Sequence, residues 1–473
     1  MQSETVLDSG TAKIGQSPEE LAAAEVARLA KAAGGRAMLV GGCVRDGLLG
    51  IPVKDVDLEV FGLSPDTLKR VLSSRFSLDL VGQSFGVIKL HHLNVDVSLP
   101  RRESKRGLGH KGFDIESDPS LSIPEAASRR DFTLNAIYRD PLTDEIVDPH
   151  GGVADLGRRV LRHVSPKFSE DPLRVLRGMQ FVARFGLAPA PETVSLCQSI
   201  EPEGLPPERQ FEEWAKLLEK GVHMTQGLEF LRKTGWTRHY PELDALIGCK
   251  QAPEWHPEGD VWAHTCCCLD AFARRRIERV PEPDEAKDED LLVGLAVLCH
   301  DFGKPATSRW DPKVRRIRSI GHDEAGVKPT LSFLRRLTNE ERILKLVPPL
   351  VQFHMAPFSY WKSKAGDAAV RRLALKVGNI QRLIRVAQAD DEGRPPMPSE
   401  REPLDWLAAA AKRLRVAAST PKPILMGRHL MQLGYRPGPQ LGKWLAAAFE
   451  AQLDGVFGDM DGALAYFREK LKG

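Results

Sequence analysis

The order of the periodic segments constrains this chain most, because short strands come first and helices follow to the end. Residues 37–40 (AMLV) are predicted to form a buried strand, residues 54–62 (KDVDLEVFG) a second strand, and residues 87–99 a β-hairpin. A second hairpin is predicted around Pro141–Thr143, and after about residue 150 the pattern becomes helical. Strands followed by helices predict a small α+β domain and then all-α domains.

Breaks rich in proline and glycine divide the rest of the chain. The length of 473 residues gives a prior of about three domains. The breaks fall at 201–207, 250–259 and 394–403. We predict an N-terminal accessory helix in residues 1–33, which Ser17 and Glu20 would cap. The further predicted segments are residues 34–150, 151–250, 251–395 and 396–473.

Composition excludes several classes of protein. With 42% hydrophobic residues the chain can bury real cores, so global disorder is excluded. It contains no run of eighteen apolar residues, and its polar N-terminus lacks an apolar signal segment, so we expect neither a membrane span nor secretion. The seven cysteines are odd in number and three are consecutive, which indicates a reducing cytoplasm rather than a disulfide framework.

Charge is distributed unevenly along the chain. The 67 Lys and Arg residues nearly balance 64 Asp and Glu residues, and the net charge of +3 alone argues against a nucleic-acid partner. Residues 101–111 are nevertheless strongly basic, whereas residues 281–290 carry six acids and one lysine. Residues 313–318 and 371–385 are further basic stretches, and each is a candidate RNA track.

Three carboxylates form the first candidate site. Asp55 and Asp57 are two apart on a predicted strand, a spacing that points both side chains to one face. Such a pair is more often simply solvated. Asp96, however, lies between two valines on a later strand, where an acid is unexpected unless it has a functional role. Together they predict a two-metal site for Mg²⁺, in which Asp96 accepts a proton from an attacking hydroxyl.

A glycine pair precedes these carboxylates. Gly41 and Gly42 join the first strand to a short helix, where backbone N–H groups can meet a phosphate. Arg45, one turn into that helix, can reach the same anion. A lone glycine pair indicates only a tight turn, but its place shortly before Asp55 favours a nucleotide site.

Five motifs occur in order between residues 37 and 187. They are GGCVRDGLLG, KDVDLEVFG, VDVSLPRRESK, RRDFTLNAIYRD and EDPLRVLRGMQFVARFG. With these motifs the chain resembles the class II tRNA nucleotidyltransferases (CCA-adding enzymes) and the related bacterial poly(A) polymerases, which are polymerase β-like nucleotidyltransferases. The resemblance implies an α+β fold: a small palm with a mixed sheet, then an all-α neck and body, a helical HD domain and a helical tail.

The same resemblance implies template-independent addition of C-C-A to the 3′ end of tRNA from CTP and ATP. It also implies roles for individual residues. These are Asp55 and Asp57 for the catalytic Mg²⁺ ions, Gly42 and Arg45 for the triphosphate, Arg130 for ribose or phosphate, and Asp131 for the local fold or the sugar. The basic loop at 101–111 resembles the family's flexible loop, which is thought to switch specificity from C to A.

The segment that begins near Glu170 is predicted to select the base. Asp171, Arg174 and Arg177 are three apart and would share one helical face. Alone this pattern indicates a solvated face, but in the family these residues read the incoming nucleotide. Asp171 and Arg174 would match the amino donor and ring-nitrogen acceptor of cytosine and adenine, whereas uracil and guanine would mismatch both. Arg177 would orient the two selectors or bind phosphate.

A second set of metal ligands is predicted in the helical half. Its order, H…HD…D, resembles that of HD-domain phosphohydrolases and of CCA-adding enzymes that carry an HD domain. The implied ligands are His264, His300, Asp301 and Asp390. They would hold a divalent transition metal or Mg²⁺ and add phosphatase or 2′,3′-cyclic phosphodiesterase activity. An HD fold that is kept for tRNA docking, with a silent site, is the alternative.

Further predictions concern the surroundings of this set and the tail. His322 and His354 would extend the site to a second metal, and the Cys266–Cys268 run would serve packing alone. Residues 427–455 resemble a C-terminal motif of many CCA-adding enzymes, with a helix that begins at about Pro439 and whose N-terminus suits a phosphate.

Several alternatives stay open at the level of sequence. A bacterial poly(A) polymerase is the nearest, although the long basic extension frequent in those enzymes is absent. An enzyme that adds only C-C or only A is another. An HD phosphohydrolase with an RNA-binding front end and a non-catalytic tRNA-binding protein are more remote. The sequence leaves the oligomeric state open.

Overall fold

The computed structural model describes residues 17–79, 87–105, 113–280 and 288–471. The chain divides into two compact units. Unit 1 comprises Met1–Trp214 and Gln226–Trp236, and unit 2 comprises Ala215–Thr225 and Thr237–Gly473. Most of the basic loop predicted to switch specificity, residues 106–112, lies outside the described residues, as do residues 1–16 and most of the acidic run.

A mixed sheet forms the front of unit 1, as the sequence predicts. The strands of unit 1 are β1 (Arg36–Val40), β2 (Val56–Phe61), β3 (Leu78–Asp79), β4 (Val87–Leu90), β5 (Val95–Ser98), β6 (Arg101–Lys105), β7 (Phe113–Ser117), β8 (Tyr138–Arg139), β9 (Ile146–Val147), β10 (Val160–Leu161) and β11 (Ala188–Pro189). Seven of them form one sheet in the order β3-β4-β5-β2-β1-β8-β9. Only β2 and β5 pair in parallel in this sheet, and both predicted hairpins, β4–β5 and β8–β9, are present.

Helices cover the apolar face of this sheet and form most of unit 1 after the sheet. They are α1 (Pro18–Ala32), α2 (Gly42–Leu48), α3 (Pro65–Ser73), α4 (Ile123–Ala127), α5 (Gly152–Gly157), α6 (Leu173–Phe185), α7 (Pro191–Gln198), α8 (Pro207–Lys220) and α9 (Met224–Lys233). Short 3₁₀ helices occupy Thr133–Asn135, Pro166–Glu170 and Trp236–His239. Helix α6 carries two of the three predicted base-reading residues.

The N-terminal helix belongs to the core of unit 1. Ser17 and Glu20 form the predicted capping box at the start of α1. Four alanines of α1 and Val26 are buried in one cluster with Val56 and Leu58 of β2 and with the two valines of β5. Burial of this face stabilises the back of the sheet, so α1 supports the strands that carry the carboxylates.

Unit 2 is almost entirely helical. Its elements are α10 (Pro241–Asp244), α11 (Val261–Glu278), α12 (Glu289–Cys299), α13 (Lys304–Thr307), β12 (Arg309–Asp311), β13 (Arg316–Arg318), α14 (His322–Ala325), α15 (Val327–Leu337), α16 (Glu341–Gln352), α17 (Ala356–Lys362), α18 (Asp367–Val377), α19 (Ile380–Glu392), α20 (Arg401–Arg413), α21 (Gly427–Gln432), α22 (Pro439–Asp454) and α23 (Met460–Tyr466). Helix α12 is apolar on all sides and packs against α11, α16 and α19. This packing fixes the end of α12, from which His300 follows.

The C-terminal helices share a core of their own. Leu430, Leu441 and Phe467 are among its buried residues, and α22 begins at Pro439, as predicted. Arginines of the basic stretch 371–385 serve the packing of unit 2. Arg372 pairs with Glu450 and Asp454 of α22, while Arg382 and Arg385 pair with acids of α12. Whether this stretch also lines an RNA track stays a prediction.

No helix within the described ranges is long and apolar enough to cross a membrane.

Candidate active sites

The three predicted carboxylates meet where β2 pairs with β5. The parallel register places Asp57 directly opposite Asp96, so both side chains project from the same face. Asp55 lies one residue before β2 rather than on the strand, which corrects the predicted position. All three residues line a cavity of about 500 Å³ in unit 1. We call them the carboxylate cluster.

The electrostatics of the carboxylate cluster favour a cation. Burial raises the pKa of Asp57, Arg130 opposes this effect, and the neighbouring charges of Asp96 and Asp55 raise it further. Lys89 Nζ lies 3.3 Å from Asp96 Oδ2 and offsets part of the repulsion. Carboxylate oxygens are the ligands that Mg²⁺ prefers, so this donor set fits the implied ion.

The glycine turn lies beside the carboxylate cluster. Gly41 has a φ of 79°, a conformation that side chains rarely adopt. A Cβ atom on Gly41 would lie 3.4 Å from Arg130 Nη1 and 3.7 Å from Asp57 Oδ2. Glycine therefore keeps open the corner where β1 turns into α2, beside the acids, and Gly42 is the first residue of that helix.

The side chain of Arg45 makes its contacts within unit 1. Its side chain is buried, Nη1 donates to Asn135 Oδ1 at 2.6 Å, and Nε donates to Asp46 Oδ1 at 2.8 Å. The guanidinium also lies over the ring of Phe185 at 4.7 Å. In this structure Arg45 holds α2 against the rest of unit 1, so its predicted triphosphate contact stays a prediction.

A buried acid that the sequence analysis missed positions Arg130. Glu59 follows Asp57 by two residues on β2 and is fully buried. Its carboxylate accepts hydrogen bonds from Arg129 Nη2 at 2.7 Å and from the Tyr138 hydroxyl at 2.6 Å, and Arg130 Nη2 lies 3.6 Å away. Burial acts to raise the pKa of Glu59, but the two arginines outweigh it and lower it. The signal in the sequence was a second acid on β2, two residues after Asp57 and between apolar residues.

Asp171 lies outside the helix on which it was predicted. Helix α6 begins at Leu173, and Asp171 Oδ1 accepts a hydrogen bond from the Leu173 backbone N–H at 3.1 Å. Arg209, which the sequence analysis did not single out, donates to Asp171 Oδ2 at 3.0 Å. Arg174 is buried on α6 and donates to the backbone carbonyls of Lys167 and Arg129, at 2.9 and 2.6 Å.

Arg177 orients a different acid from the one predicted. Its Nε donates to Asp131 Oδ2 at 2.7 Å, while Asn135 Nδ2 donates to Oδ1 of the same carboxylate at 3.0 Å. Burial acts to raise the pKa of Asp131, but Arg177 and Asn135 hold it at about 2. Arg177 also lies 3.8 Å from the buried Glu213. This pair ties α6 to the loop that carries Arg130.

The four predicted ligands of the second site converge in unit 2. We call His264, His300, Asp301 and Asp390 the histidine cluster. The Nε2 atoms of His264 and His300 are 3.4 Å apart. Asp390 Oδ1 lies 3.0 Å from the first and 3.7 Å from the second, and Asp301 Oδ2 lies 3.6 and 3.3 Å from them.

Contacts at Nδ1 orient the imidazole rings of His264, His300, His322 and His354, so that their Nε2 atoms face the histidine cluster. The Nδ1 atoms of His300 and His354 each lie 2.7 Å from a backbone carbonyl, and that of His322 lies 2.8 Å from another. His264 Nδ1 lies 2.7 Å from the Glu258 carboxylate. Donation from Nδ1 leaves Nε2 with a lone pair for a metal, which is the usual arrangement of histidine ligands.

Asp301 shows that the cluster suits a cation. Both of its carboxylate oxygens are buried without a hydrogen-bond partner among the described residues, although Lys304 Nζ forms an ion pair at 2.7 Å. Burial acts to raise the pKa of Asp301, but His300 and Lys304 hold it well below its usual range. Asp301 Oδ1 also lies 3.5 Å from His322 Nε2, which in turn lies 3.3 Å from His354 Nε2. The residues therefore offer two adjacent donor sets.

Comparison with known proteins decides the family. A family model described as the poly A polymerase head domain matches residues 37–162. The chain is 35% identical over 424 residues to a multifunctional CCA protein of Xanthomonas campestris pv. campestris. This alignment covers 87% of this chain and 96% of that relative. This chain belongs to the multifunctional CCA protein family. A second relative with the same name, from Halorhodospira halophila, is 34% identical over 85% of this chain and 93% of its own length.

Solved CCA-adding enzymes share the fold of this chain. The Bacillus stearothermophilus CCA-adding enzyme in complex with CTP matches with a TM-score of 0.64 and 22% identity, over 96% of this chain and 99% of that one. The Thermotoga maritima CCA-adding enzyme complexed with tRNA matches with a TM-score of 0.58 and 18% identity, over 96% of both chains. The resemblance and the α+β fold inferred from the sequence are thereby confirmed.

The Cys266–Cys268 run is predicted to serve packing, and its third thiol also makes a polar contact. Cys268 Sγ lies 3.4 Å from His264 Nε2. The sequence carried the signal, since residues four apart on a helix share a face. The neighbouring cavity, of about 520 Å³, is lined by Asp301, Asp390, His322 and His354 and by cations, among them Lys304, Lys362 and Arg316 of the basic stretch 313–318.

Proposed function

We propose that this chain adds C-C-A to the 3′ end of tRNA, from CTP and ATP and without a nucleic-acid template. The carboxylate cluster at the β2–β5 pairing is the observation that carries the proposal. Membership of the multifunctional CCA protein family and the shared fold with enzymes solved with CTP, ATP and tRNA support it.

The reaction follows from the roles of the chain's own residues. Asp55 and Asp57 would hold two Mg²⁺ ions, which supply charge neutralisation at the phosphates when bound. Asp96 accepts the proton of the tRNA 3′-hydroxyl, whose oxygen bonds to the α-phosphorus of the nucleotide while the bond to the departing pyrophosphate breaks. Arg130, held beside Asp57 by Glu59, stabilises the phosphate charge, so catalysis is mainly positioning and electrostatics.

Asp57→Asn should abolish nucleotide addition, because it removes a metal ligand without changing the shape of the side chain. Incubation of tRNA that ends at the discriminator base with CTP and ATP should yield C, C, A and then arrest with the wild type. The variant should be slower by about 10²–10³-fold or more. Asp79→Asn, in the same cavity, is the matched control and should stay active. An active Asp57→Asn enzyme would refute the site, and an open-ended A ladder would favour the poly(A) alternative.

We propose Asp171 and Arg174 as the groups that read the incoming base. Arg174 spends two donors on backbone carbonyls, which fix its plane, and a guanidinium has five N–H donors, so it keeps others for a ring nitrogen. Arg209 and the Leu173 backbone hold Asp171, whose oxygens each accept more than one hydrogen bond. Rigid selectors of this kind replace a nucleic-acid template with protein.

Arg174→Ala should weaken the choice of CTP and ATP over UTP and GTP. Loss of one base contact of this type costs about 1–3 kcal/mol of discrimination. The measurement is kcat/KM for each of the four nucleotides on the same tRNA. Arg184→Ala, on the same helix, is the control and should keep the selection. Unchanged discrimination in Arg174→Ala would remove Arg174 from this role.

We propose a second activity in unit 2, hydrolysis of phosphomonoesters or 2′,3′-cyclic phosphates. The histidine cluster would hold a divalent ion, which supplies Lewis-acid chemistry when bound, and His322 and His354 with Asp301 would hold a second. Lys304, Arg316 and Lys362 give the neighbouring cavity the positive charge that attracts a phosphate. The donor set supports this activity over a silent fold.

Asp390→Asn should remove hydrolysis of a nucleoside 2′,3′-cyclic phosphate and leave nucleotide addition intact. The reciprocal control is Asp57→Asn, which should hydrolyse normally and add nothing. Both activities are measured on the same preparations of the full chain. The activity that each variant retains shows that this variant is folded. Equal hydrolysis by wild type and Asp390→Asn would show that the cluster is silent.

A further inference from the structure

A buried thiol lies among the ligands proposed for unit 2. Cys268 follows His264 by one helical turn on α11 and is fully buried. Its Sγ lies 3.4 Å from His264 Nε2. One ligating atom from each of His264, Cys268, His300 and Asp390 lies within 4.8 Å of every other.

The separations of these atoms are those of ligands around one ion. Ligands about 2.0–2.3 Å from a tetrahedral zinc ion lie roughly 3.3–3.7 Å from one another. The Nε2 atoms of His264 and His300 are 3.4 Å apart, and Asp390 Oδ1 lies 3.7 Å from that of His300. Its distance of 3.0 Å from that of His264 is slightly below this range. The distance from sulfur to His264 Nε2 falls in the same range. A metal can therefore be reached by the sulfur without movement of the backbone.

The thiol is held in this position by the end of α19. Gly393 lies so close that a Cβ atom there would collide with Cys268 Sγ, and the Asp390 carbonyl lies 3.9 Å from the sulfur. The adjacent Cys267 is partly exposed and belongs to none of the candidate ligand groups found within the described residues. Position along α11, rather than the run of three cysteines, therefore distinguishes Cys268.

We infer that Cys268 is a thiolate ligand of the metal centre in unit 2 and that it makes this centre select a thiophilic divalent ion, such as Zn²⁺, Co²⁺ or Fe²⁺, over Mg²⁺. With Cys268 the histidine cluster then offers two histidine nitrogens, one sulfur and carboxylate oxygens of Asp390 and Asp301. Soft sulfur ligands favour these ions, whereas oxygen ligands suit Mg²⁺. On binding, the S–H bond breaks, the proton passes to solvent and the sulfur bonds to the ion. The inference rests on the metal centre proposed above.

Asp301 lies between the two candidate donor sets, and Cys268 belongs to only one of them. Its Oδ2 faces His300 and its Oδ1 faces His322, at 3.3 and 3.5 Å. The set beyond it, Asp301 with His322 and His354, offers nitrogen and oxygen atoms only. The two sets therefore differ in softness, and the set with Cys268 is the one that should bind a thiophilic ion more tightly.

Titration of the metal-free full chain with Co²⁺ tests this assignment. The wild type should show visible d–d absorption together with near-ultraviolet thiolate-to-cobalt charge transfer. C268S should keep the visible bands and lose the near-ultraviolet band, whereas C267S, the matched control, should match the wild type. Competition with Zn²⁺ should show affinity at least about tenfold weaker in C268S, and excess Mg²⁺ should not displace Co²⁺ from the wild type.

The outcomes separate this inference from the proposed hydrolase. A near-ultraviolet band that persists in C268S, or visible bands without it in the wild type, would overturn the thiolate ligand and leave a nitrogen and oxygen centre standing. Failure of the wild type to bind Co²⁺ would overturn the metal centre itself. Nucleotide addition, which Cys268 does not touch, should be equal in wild type, C267S and C268S and shows that each chain is folded.

Discussion

Parallel pairing of β2 with β5 is the constraint on which the first site depends. Every other pairing in the seven-stranded sheet is antiparallel, yet this one sets Asp57 opposite Asp96. Because side chains alternate between faces, a shift of one residue would send Asp96 into the apolar core and Val97 to the cavity. The valines of β5, packed beneath α1, resist that shift. The apolar face of the sheet thereby fixes the geometry of its polar face.

Buried charge links the two parts of the nucleotide site within unit 1. Glu59 holds Arg129 and Arg130, and the next residue, Asp131, holds Arg177 of α6, which also approaches Glu213. Removal of one partner from such a pair leaves an uncompensated buried charge, at a cost of about 3–5 kcal/mol. Helix α6, which carries the proposed base selector Arg174, and Arg130 are thus held by one connected set of contacts. The candidate metal ligands of unit 2 differ in chemistry, since they include nitrogen and sulfur as well as oxygen.

Local patterns in the sequence predicted the elements well and their long-range partners poorly. The capping box at Ser17, the hairpins and the start of α22 at Pro439 are encoded by neighbouring residues, and all are confirmed. Arg209, in contrast, meets Asp171 from a distant helix, which no local spacing reveals. The contacts of Arg45 with Phe185 and Asn135 are likewise decided by tertiary packing, so the sequence did not predict them. The contact of Cys268 with His264, in contrast, follows from a local spacing of four residues on one helix.

The central claim is that the carboxylate cluster holds metal ions against the α-phosphate. The most direct test uses CTP in which sulfur replaces one non-bridging oxygen of the α-phosphate. Mg²⁺ binds sulfur poorly, whereas softer ions accept it. The account predicts that one diastereomer is added slowly with Mg²⁺ and is restored by Mn²⁺ or Cd²⁺ in the wild type but not in Asp57→Asn. Equal rates for both diastereomers with Mg²⁺, unchanged by the softer ions, would contradict it.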